Sequence, residues 1–350
     1  MLHLFALIVA LSTAILIFAG GLVTSTGSGL SVPDWPNTYG WFMFSFPLEK
    51  MVGGILYEHS HRLIASTVGL LMIALAFWLW RAEPRQWVRR LGFLALAAVV
   101  TQGILGGITV LWFLPEPISI AHASLAQIVF CLTASIALFT SPGWKRAYAH
   151  HEPRGRGDAE VSRSAAPRVR DSAVRGADDP RLQRLAAITT GWIYLQIVVG
   201  ATMRHTGAGL AIPDFPLAFG HLIPPHWDAG IAIHFAHRVG ALVAAALIVL
   251  TTGRVLRHHR RRGELMRPSL LLLVLLTAQI TLGALTVLTA KQYVINSLHV
   301  VTGALVLVTS LVLALRAHRT RFADAASPSA SRYGVRGAVV DRSRPAGVRA

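Results

Sequence analysis

Cysteine and charged residues are scarce in this chain. Cys131 is the single cysteine among 350 residues, which excludes an intramolecular disulfide and a cysteine-based metal site. Charged residues make up 14% of the sequence, whereas soluble proteins carry about a quarter. Hydrophobic residues reach 53%. This composition excludes an ordinary soluble protein and indicates an integral membrane protein, with the lipid bilayer as its surroundings.

The positive charge of the chain is concentrated in a few places. The formal net charge is +17, yet 28 of the 33 lysine and arginine residues fall in four segments: 81–90, 141–184, 254–267 and the tail from Arg316. Clusters of this kind between apolar stretches mark the cytoplasmic side of a membrane protein. We therefore expect no nucleic-acid partner, and we place both termini on the cytoplasmic side of the cell inner membrane. The connections on the outer side hold only Lys50, Arg204 and Lys291 as basic residues.

Eight transmembrane helices are predicted, because each apolar stretch approaches the roughly 20 residues that a helix needs to cross a bilayer. The fold class is an all-α integral membrane protein. An N-terminal four-helix bundle is expected over residues 1–140 and a C-terminal one over 185–318. The composition of 141–184 is typical of a disordered cytoplasmic linker, and that of 319–350 of a disordered cytoplasmic tail. The spans lie at about 2–24, 57–80, 90–113, 119–140, 185–204, 231–253, 268–289 and 295–316.

The two halves repeat the same residues in the same order. The segment from Gly27 to Pro36 recurs as Gly207 to Pro216, and His61-Arg62 recurs as His237-Arg238. So many identities in one order predict an internal duplication. Since each half has an even number of spans, the two bundles are expected to be related by a pseudo-two-fold axis along the membrane normal. The other matches are Gln102, Gly106, Thr109, Val110 and His122 with Gln279, Gly283, Thr286, Val287 and His299.

Two histidines in each half have the spacing of metal ligands. His61 and His122 lie near the outer ends of the second and fourth spans, and His237 and His299 take the same places in the other half. Two imidazoles projecting inward from separate helices of a bundle can hold a haem iron from both faces. A structural hydrogen bond between helices is the alternative for each histidine. Zinc is a weaker alternative, because two histidines leave two ligands missing.

The repeat between the two halves is interrupted at one acidic residue, Glu58. Glu58 lies one turn before His61, whereas the matching position in the second half is His234. An acid/base role for Glu58 is one hypothesis, and a salt bridge to Arg62 or exposure to water at the end of the span are the alternatives. Arg62 and Arg238 are candidates for pairing with haem propionates, with extension to the membrane interface as the alternative. His59 aligns with Phe235 and is not expected to be a ligand.

With these residues in hand, the chain resembles the haem A synthase family. The resemblance rests on Glu58-x-x-His61-Arg62, the Gly-Leu-x-x-Pro-Asp-aromatic-Pro loops, the Gln-x-x-x-Gly-x-x-Thr-Val runs and the remaining three histidines, and it covers all eight spans. Some members carry a cysteine pair in the first outer loop. Residues 25–56 contain no cysteine, so the chain resembles the cysteine-free branch.

The resemblance implies an oxidoreductase that converts haem O to haem A for terminal oxidases by stepwise oxidation of the C8 methyl group. It implies a haem b cofactor held by His237 and His299. It also implies that the substrate haem O lies in the N-terminal half, where His61 and His122 are the matching histidines and Glu58 is required for turnover. An electron acceptor of unknown identity is implied, and a haem O synthase partner and a homo-oligomer are left open.

Two other classes of protein share part of this pattern. A non-enzymatic dihaem electron carrier of cytochrome b type would have the same histidine pairs, but it leaves Glu58 in the first half unexplained. A transporter would share the duplicated halves. Against a transporter, the spans show no interruptions at matching positions and no other charges beside the histidine motifs.

Overall fold

The computed structural model describes residues 1–149 and 179–319, and this part of the chain is helical without β-strands. Two short single-turn helices, Met43–Ser45 and Leu48–Lys50, lie between the first two long ones, and a third, Ala208–Leu210, lies in the second half. The α-helices are α1 Leu2–Ser25, α2 Gly54–Ala82, α3 Gln86–Leu111, α4 Glu116–Thr140, α5 Pro142–Ala149, α6 Pro180–His205, α7 Ala229–His258, α8 Gly263–Leu288 and α9 Tyr293–Ala317.

All eight predicted membrane spans are confirmed as helices that are long and apolar enough to cross a membrane. Most of these helices begin or end a few residues outside the predicted spans, whereas α3 ends at Leu111 and α8 at Leu288, one or two residues inside them. The helix α6 begins five residues before the predicted start, since Asp179 caps it and Pro180 occupies its first turn. It also continues to His205, so Arg204 lies in a helix rather than in a connection.

The predicted linker and tail are only partly described. Residues 142–149, assigned to the disordered linker, form the helix α5 instead, and Trp144 packs against Phe139 with 5.0 Å between ring centroids. The apolar face that Trp144 buries accounts for this difference. Residues 179–184, also assigned to the linker, cap and begin α6. Residues 150–178 and 320–350, which carry most of the predicted linker and nearly all of the predicted tail, lie outside the described residues.

Each half forms a bundle of four long helices. In the first, α1 packs against α2 and α4, and α3 packs between α2 and α4; α6 to α9 repeat these contacts in the second. The halves meet where α1 and α4 pack against α9, and where α4 packs against α6. Ala14, Ile17, Phe130 and Ala304 form a buried apolar cluster at this seam. These helix contacts fit the predicted duplication.

Two matching loops lie at one side of the membrane, which we call the loop side: residues 26–53 before α2 and residues 206–228 before α7. In the first loop the Asp34 carboxylate accepts hydrogen bonds from the backbone N–H groups of Tyr39 and Gly40, both at 2.8 Å. Asp214 makes the same bonds to Phe219 and Gly220. Burial raises the pKa of Asp34, but the bonds from Gly40 and Tyr39 outweigh it and hold the pKa below its usual value. Each loop is thus folded around a carboxylate.

On the opposite side, Asp179 connects α6 to α7. Its carboxylate accepts from the Leu182 N–H at 3.1 Å, pairs with the Arg254 guanidinium at 2.8 Å and contacts His259 Nε2 at 2.9 Å. Burial raises the pKa of Asp179, but the bonds from Arg254 and His259 outweigh it and hold the pKa well below its usual range. The carboxylate therefore stabilises the fold in its ionised form.

We expect Asp179→Ala to lower the free energy of unfolding by about 1 kcal/mol for the lost cap, with a further loss from the ion pair. Asp179→Asn keeps an acceptor for the cap, so its free energy of unfolding should lie between those of the wild type and Asp179→Ala. Because the folded pKa is lowered, this stabilisation is complete above the unfolded pKa of about 3.9 and is lost as the pH falls below it. Thermal unfolding of the purified proteins in detergent gives the unfolding midpoints of these variants. Glu49→Ala, at an exposed residue, is the control and should unfold like the wild type. Equal midpoints for Asp179→Ala and the wild type at pH 7 would contradict this prediction.

Candidate functional site

The four predicted histidines lie at the same level of the two bundles. Each is about two turns from the loop-side end of its helix, with His61 in α2, His122 in α4, His237 in α7 and His299 in α9. The imidazoles of His61 and His122 are close enough to interact electrostatically, and so are those of His237 and His299. The structure therefore brings together the histidines of each half as the sequence predicts.

Each of these imidazole rings lies against a glycine of the neighbouring helix. A Cβ atom at any of the four glycines would approach the Cε1 atom of the facing histidine to about 3 Å, which is closer than side chains normally pack. Only glycine leaves room for the ring between the two helices. The pairs, with the distance to that Cβ, are Gly20–His61 at 3.1 Å, Gly106–His122 at 3.1 Å, Gly200–His237 at 2.8 Å and Gly283–His299 at 3.0 Å.

Three of the four imidazoles have a buried nitrogen without a hydrogen-bond partner. Within the described residues, the Nδ1 atoms of His61, His122 and His299 are buried and have no hydrogen-bond partner. Buried polar atoms are rarely left unpaired, so each exception calls for an explanation, such as a bound ligand. No group of three or more His, Cys, Asp and Glu side chains suited to a metal ion occurs in residues 1–149 and 179–319. Two imidazoles per half, each in a glycine cradle, fit an iron porphyrin with two axial histidines.

Glutamine side chains hold three of the four histidine segments. Gln102 donates from Nε2 to the His122 carbonyl at 2.9 Å, and Gln196 donates to the His237 carbonyl at 2.7 Å. Gln196 Nε2 also lies 2.9 Å from His237 Nδ1, and Gln279 Nε2 lies 3.4 Å from His299 Nε2. Each glutamine precedes its cradle glycine by one helical turn. In α1 that place is taken by Leu16, so His61 has no such amide among the described residues.

Sequence comparison of the halves missed part of this arrangement. Gly106 and Gly283 are recognised as repeats, but Gly20, Gly200 and Gln196 are not, because Leu16 breaks the match between α1 and α6. The spacing Gln-x-x-x-Gly, which occurs at 102–106, 196–200 and 279–283, would have found Gln196 and Gly200 but not Gly20.

Glu58 is buried and joins the first loop to α2. It is 3% exposed, so the expectation that it reaches water at the end of its span is wrong. Its Oε2 atom accepts from the Val32 N–H at 2.7 Å, and its Oε1 atom accepts from Arg62 Nη2 at 2.6 Å. The predicted salt bridge is therefore present. In the second half, His234 Nδ1 accepts from the Ile212 N–H at 3.2 Å and takes the same place. Within residues 1–149 and 179–319, His234 forms no ion pair.

Arg62 and Arg238 are engaged by the loops. Both terminal nitrogens of each guanidinium donate to backbone carbonyls of the loop in the same half, which fixes the loop to α2 or α7. These contacts direct both terminal nitrogens of each arginine towards its loop. The pairing of Arg62 and Arg238 with haem propionates is not tested by them and stays a prediction. The acceptors, at 2.6–3.2 Å, are Val32, Asp34 and Asn37 for Arg62 and Ile212, Asp214 and Leu217 for Arg238.

The first loop covers the site of its half. The Trp35 ring lies so close to Gly107, the residue after the cradle glycine of His122, that a Cβ atom there would be 2.7 Å from the ring. His59 is buried beneath the same loop, where its Nδ1 atom lies 3.0 Å from Thr38 Oγ1 and its ring packs on Phe46. His59 therefore serves the loop, in keeping with its exclusion from the predicted ligands.

We expect Gly200→Ala to displace the His237 imidazole and to lower the free energy of unfolding by about 1–3 kcal/mol, as overpacking does. Gly191→Ala in the same helix is the matched control, because nothing lies within 4 Å of a Cβ atom there. The control should be neutral or stabilised by up to about 1 kcal/mol. Thermal unfolding and the haem absorbance per mole of purified protein measure both effects. Equal haem absorbance in the two variants would contradict a cradle role for Gly200.

Comparison with known proteins identifies the family of this chain. The model of the family described as COX15-CtaA, cytochrome oxidase assembly protein, matches residues 3–312. A protein named Heme A synthase from Symbiobacterium thermophilum is 30% identical over 293 residues, which cover 82% of this chain and 87% of that protein. Proteins of the same name from Geobacillus kaustophilus and Shouchella clausii are 28% and 27% identical over 84% and 81% of this chain, covering 84% and 85% of their own lengths. The chain belongs to the cytochrome oxidase assembly protein family.

Proposed function

We propose that this membrane protein is a haem A synthase, an oxidoreductase that oxidises the C8 methyl group of haem O to a formyl group and so supplies haem A for terminal oxidases. The observation that carries the proposal is the pair of glycine-cradled histidines in each half, with a buried carboxylate, Glu58, beside one pair only. The name shared by its relatives supports the same activity.

The two halves divide the work between a cofactor and a substrate. His237 and His299 hold haem b in the second half, and His61 and His122 hold haem O in the first. A bound haem supplies iron for electron transfer and oxygen chemistry. The histidines orient each porphyrin between the helices, and the loop with Trp35 limits the access of water to the first site.

Glu58 is proposed to be the proton acceptor in the first half. Oxidation of a methyl group to an aldehyde with water as the oxygen source, R–CH3 + H2O → R–CHO, releases four protons and four electrons over the two steps. Glu58 is buried, and its hydrogen bonds to Val32 and Arg62 stabilise the charged form that accepts a proton. His234 occupies this place in the second half, where no substrate is oxidised. The electrons pass to an acceptor outside the site.

The distribution of charge supports a topology for the enzyme. The ends of α2 and α7 away from the loops carry Arg81, Arg254 and Arg257, whereas the loop side carries few basic residues. We propose that the loop side faces outward from the cell inner membrane and that both termini are cytoplasmic. A haem O synthase that delivers the substrate through the membrane, and a homo-oligomeric state, are compatible with this topology.

The activity is tested by expressing the chain in a host that makes haem O but no haem A. Total haem is then extracted and separated by chromatography with mass detection. Haem A or its hydroxylated intermediate is the expected product. Only haem B and haem O, from protein that binds haem, would contradict the proposal and favour a dihaem electron carrier. Protein purified without haem would favour a transporter.

Glu58→His gives the first half the residue that the second half already has. We expect this variant to keep its loop anchor and its haem content. It should form haem A more slowly by a factor of about 10² or more, since a general acid or base contributes at least this factor to a rate. Glu58→Gln should behave alike, because it keeps an acceptor for Val32. The exposed Glu49→Gln is the control and should match the wild type. Undiminished haem A formation by Glu58→His would exclude Glu58 as the proton acceptor.

A further inference from the structure

Arg204 is a charged residue at the seam between the halves. It lies in the last turn of α6, and its Nη2 atom donates to the Gly21 carbonyl at 2.7 Å and to Ser25 Oγ at 2.8 Å, both in α1. None of the ion pairs within residues 1–149 and 179–319 includes Arg204. A charge within a membrane span is costly unless it is paired or used, so this side chain calls for a partner.

The position of Arg204 relates it to both histidine pairs. It follows Gly200, the cradle of His237, by one helical turn, and it contacts Gly21, the neighbour of the Gly20 cradle of His61. Its charge also acts on His299. The guanidinium therefore lies between the site of the first half and the site of the second.

The polar groups around Arg204 are neutral, and several are hydrogen-bond donors. Asn296 Nδ2 donates to Ser25 Oγ at 3.2 Å, and Ser297 Oγ lies 3.1 Å from the same atom. Within the described residues, the Nε and Nη1 atoms of Arg204 have no hydrogen-bond acceptor. By contrast, Arg62 is satisfied by Glu58 and the first loop, Arg238 by the second loop, and Arg254 by Asp179.

We propose that Arg204, with Asn296 beside it, forms a carboxylate-binding site at the seam and that its ligand is a propionate of a bound porphyrin. A planar guanidinium binds a carboxylate through two parallel hydrogen bonds, which suits the nitrogens that Arg204 leaves open. The equivalent residue of α1 is Thr24, so Arg204 has no arginine counterpart in the first half. The inference rests on the proposed function, because it requires a porphyrin in at least one half.

The test compares ferric haem with haem dimethyl ester, which lacks the carboxylates, as ligands of the purified full-length protein. Titration by absorbance should show that the wild type binds the free acid at least about tenfold more tightly, as a charge-assisted pair would give. In Arg204→Met this ratio should fall to about one, while the affinity for the ester is unchanged. A structural clamp would lower both affinities together. Arg204→Lys, which keeps the charge but not the planar fork, should give an intermediate ratio.

Arg257→Met is the control, because Arg257 is exposed in the last turn of α7, at the end away from the loops and the histidines. It should retain the preference for the free acid. A retained preference in Arg204→Met and in Arg204→Lys, or its loss in Arg257→Met, would overturn the proposal. If neither porphyrin binds the wild type, the proposed function itself fails.

The same titration identifies which porphyrin supplies the carboxylate. A preference that survives in His61→Ala assigns it to the porphyrin of the second half, and one that survives in His299→Ala assigns it to that of the first.

Discussion

The contact of an imidazole ring with a glycine on the facing helix is the constraint on which the rest of the structure depends. A histidine that projects into a tightly packed pair of helices needs space, and a single Cβ atom on the opposite helix would remove it. The glycine therefore sets both the distance between the two helices and the direction of the ring. The contact recurs in α1–α2, α3–α4, α6–α7 and α8–α9, so each half holds two rings at the same level of its bundle.

The loops depend on the same helices through charged residues near the histidines. Arg62 follows His61 directly, and Arg238 follows His237, so the turn of helix that directs the ring also directs a guanidinium to the loop. Each arginine is satisfied mainly by backbone carbonyls. A loop held in this way stays over the site, and in the second half Ile212 and Ala218 of the loop also form a buried apolar cluster with Ile231 of α7. The loop carbonyls keep a charged residue near the membrane surface supplied with acceptors.

The eight spans and the histidine pairs could be predicted from the sequence, because apolar length and repeated spacing are local patterns. The position of α5 and the start of α6 could not, since they depend on Trp144 finding a surface to cover and on Asp179 finding Arg254. The hydrogen bond from the Val32 N–H to Glu58 could not be predicted for a related reason. This N–H is available only because the first loop folds back over α2.

The two halves differ at positions where the shared four-helix bundle accepts more than one side chain. The bundle requires the glycines and the histidines, but it accepts either a carboxylate or an imidazole as the group that anchors the loop, as Glu58 and His234 show. It tolerates Leu16 in the place of Gln196, which leaves the segment around His61 without an amide to hold it. These differences leave the first half with a buried carboxylate and with no amide at the segment of His61. In the proposed function, the half that oxidises the substrate needs a group that changes its charge, and Glu58 would supply it. The same bundle therefore suits either proposed role, and a few side chains would decide which half performs it.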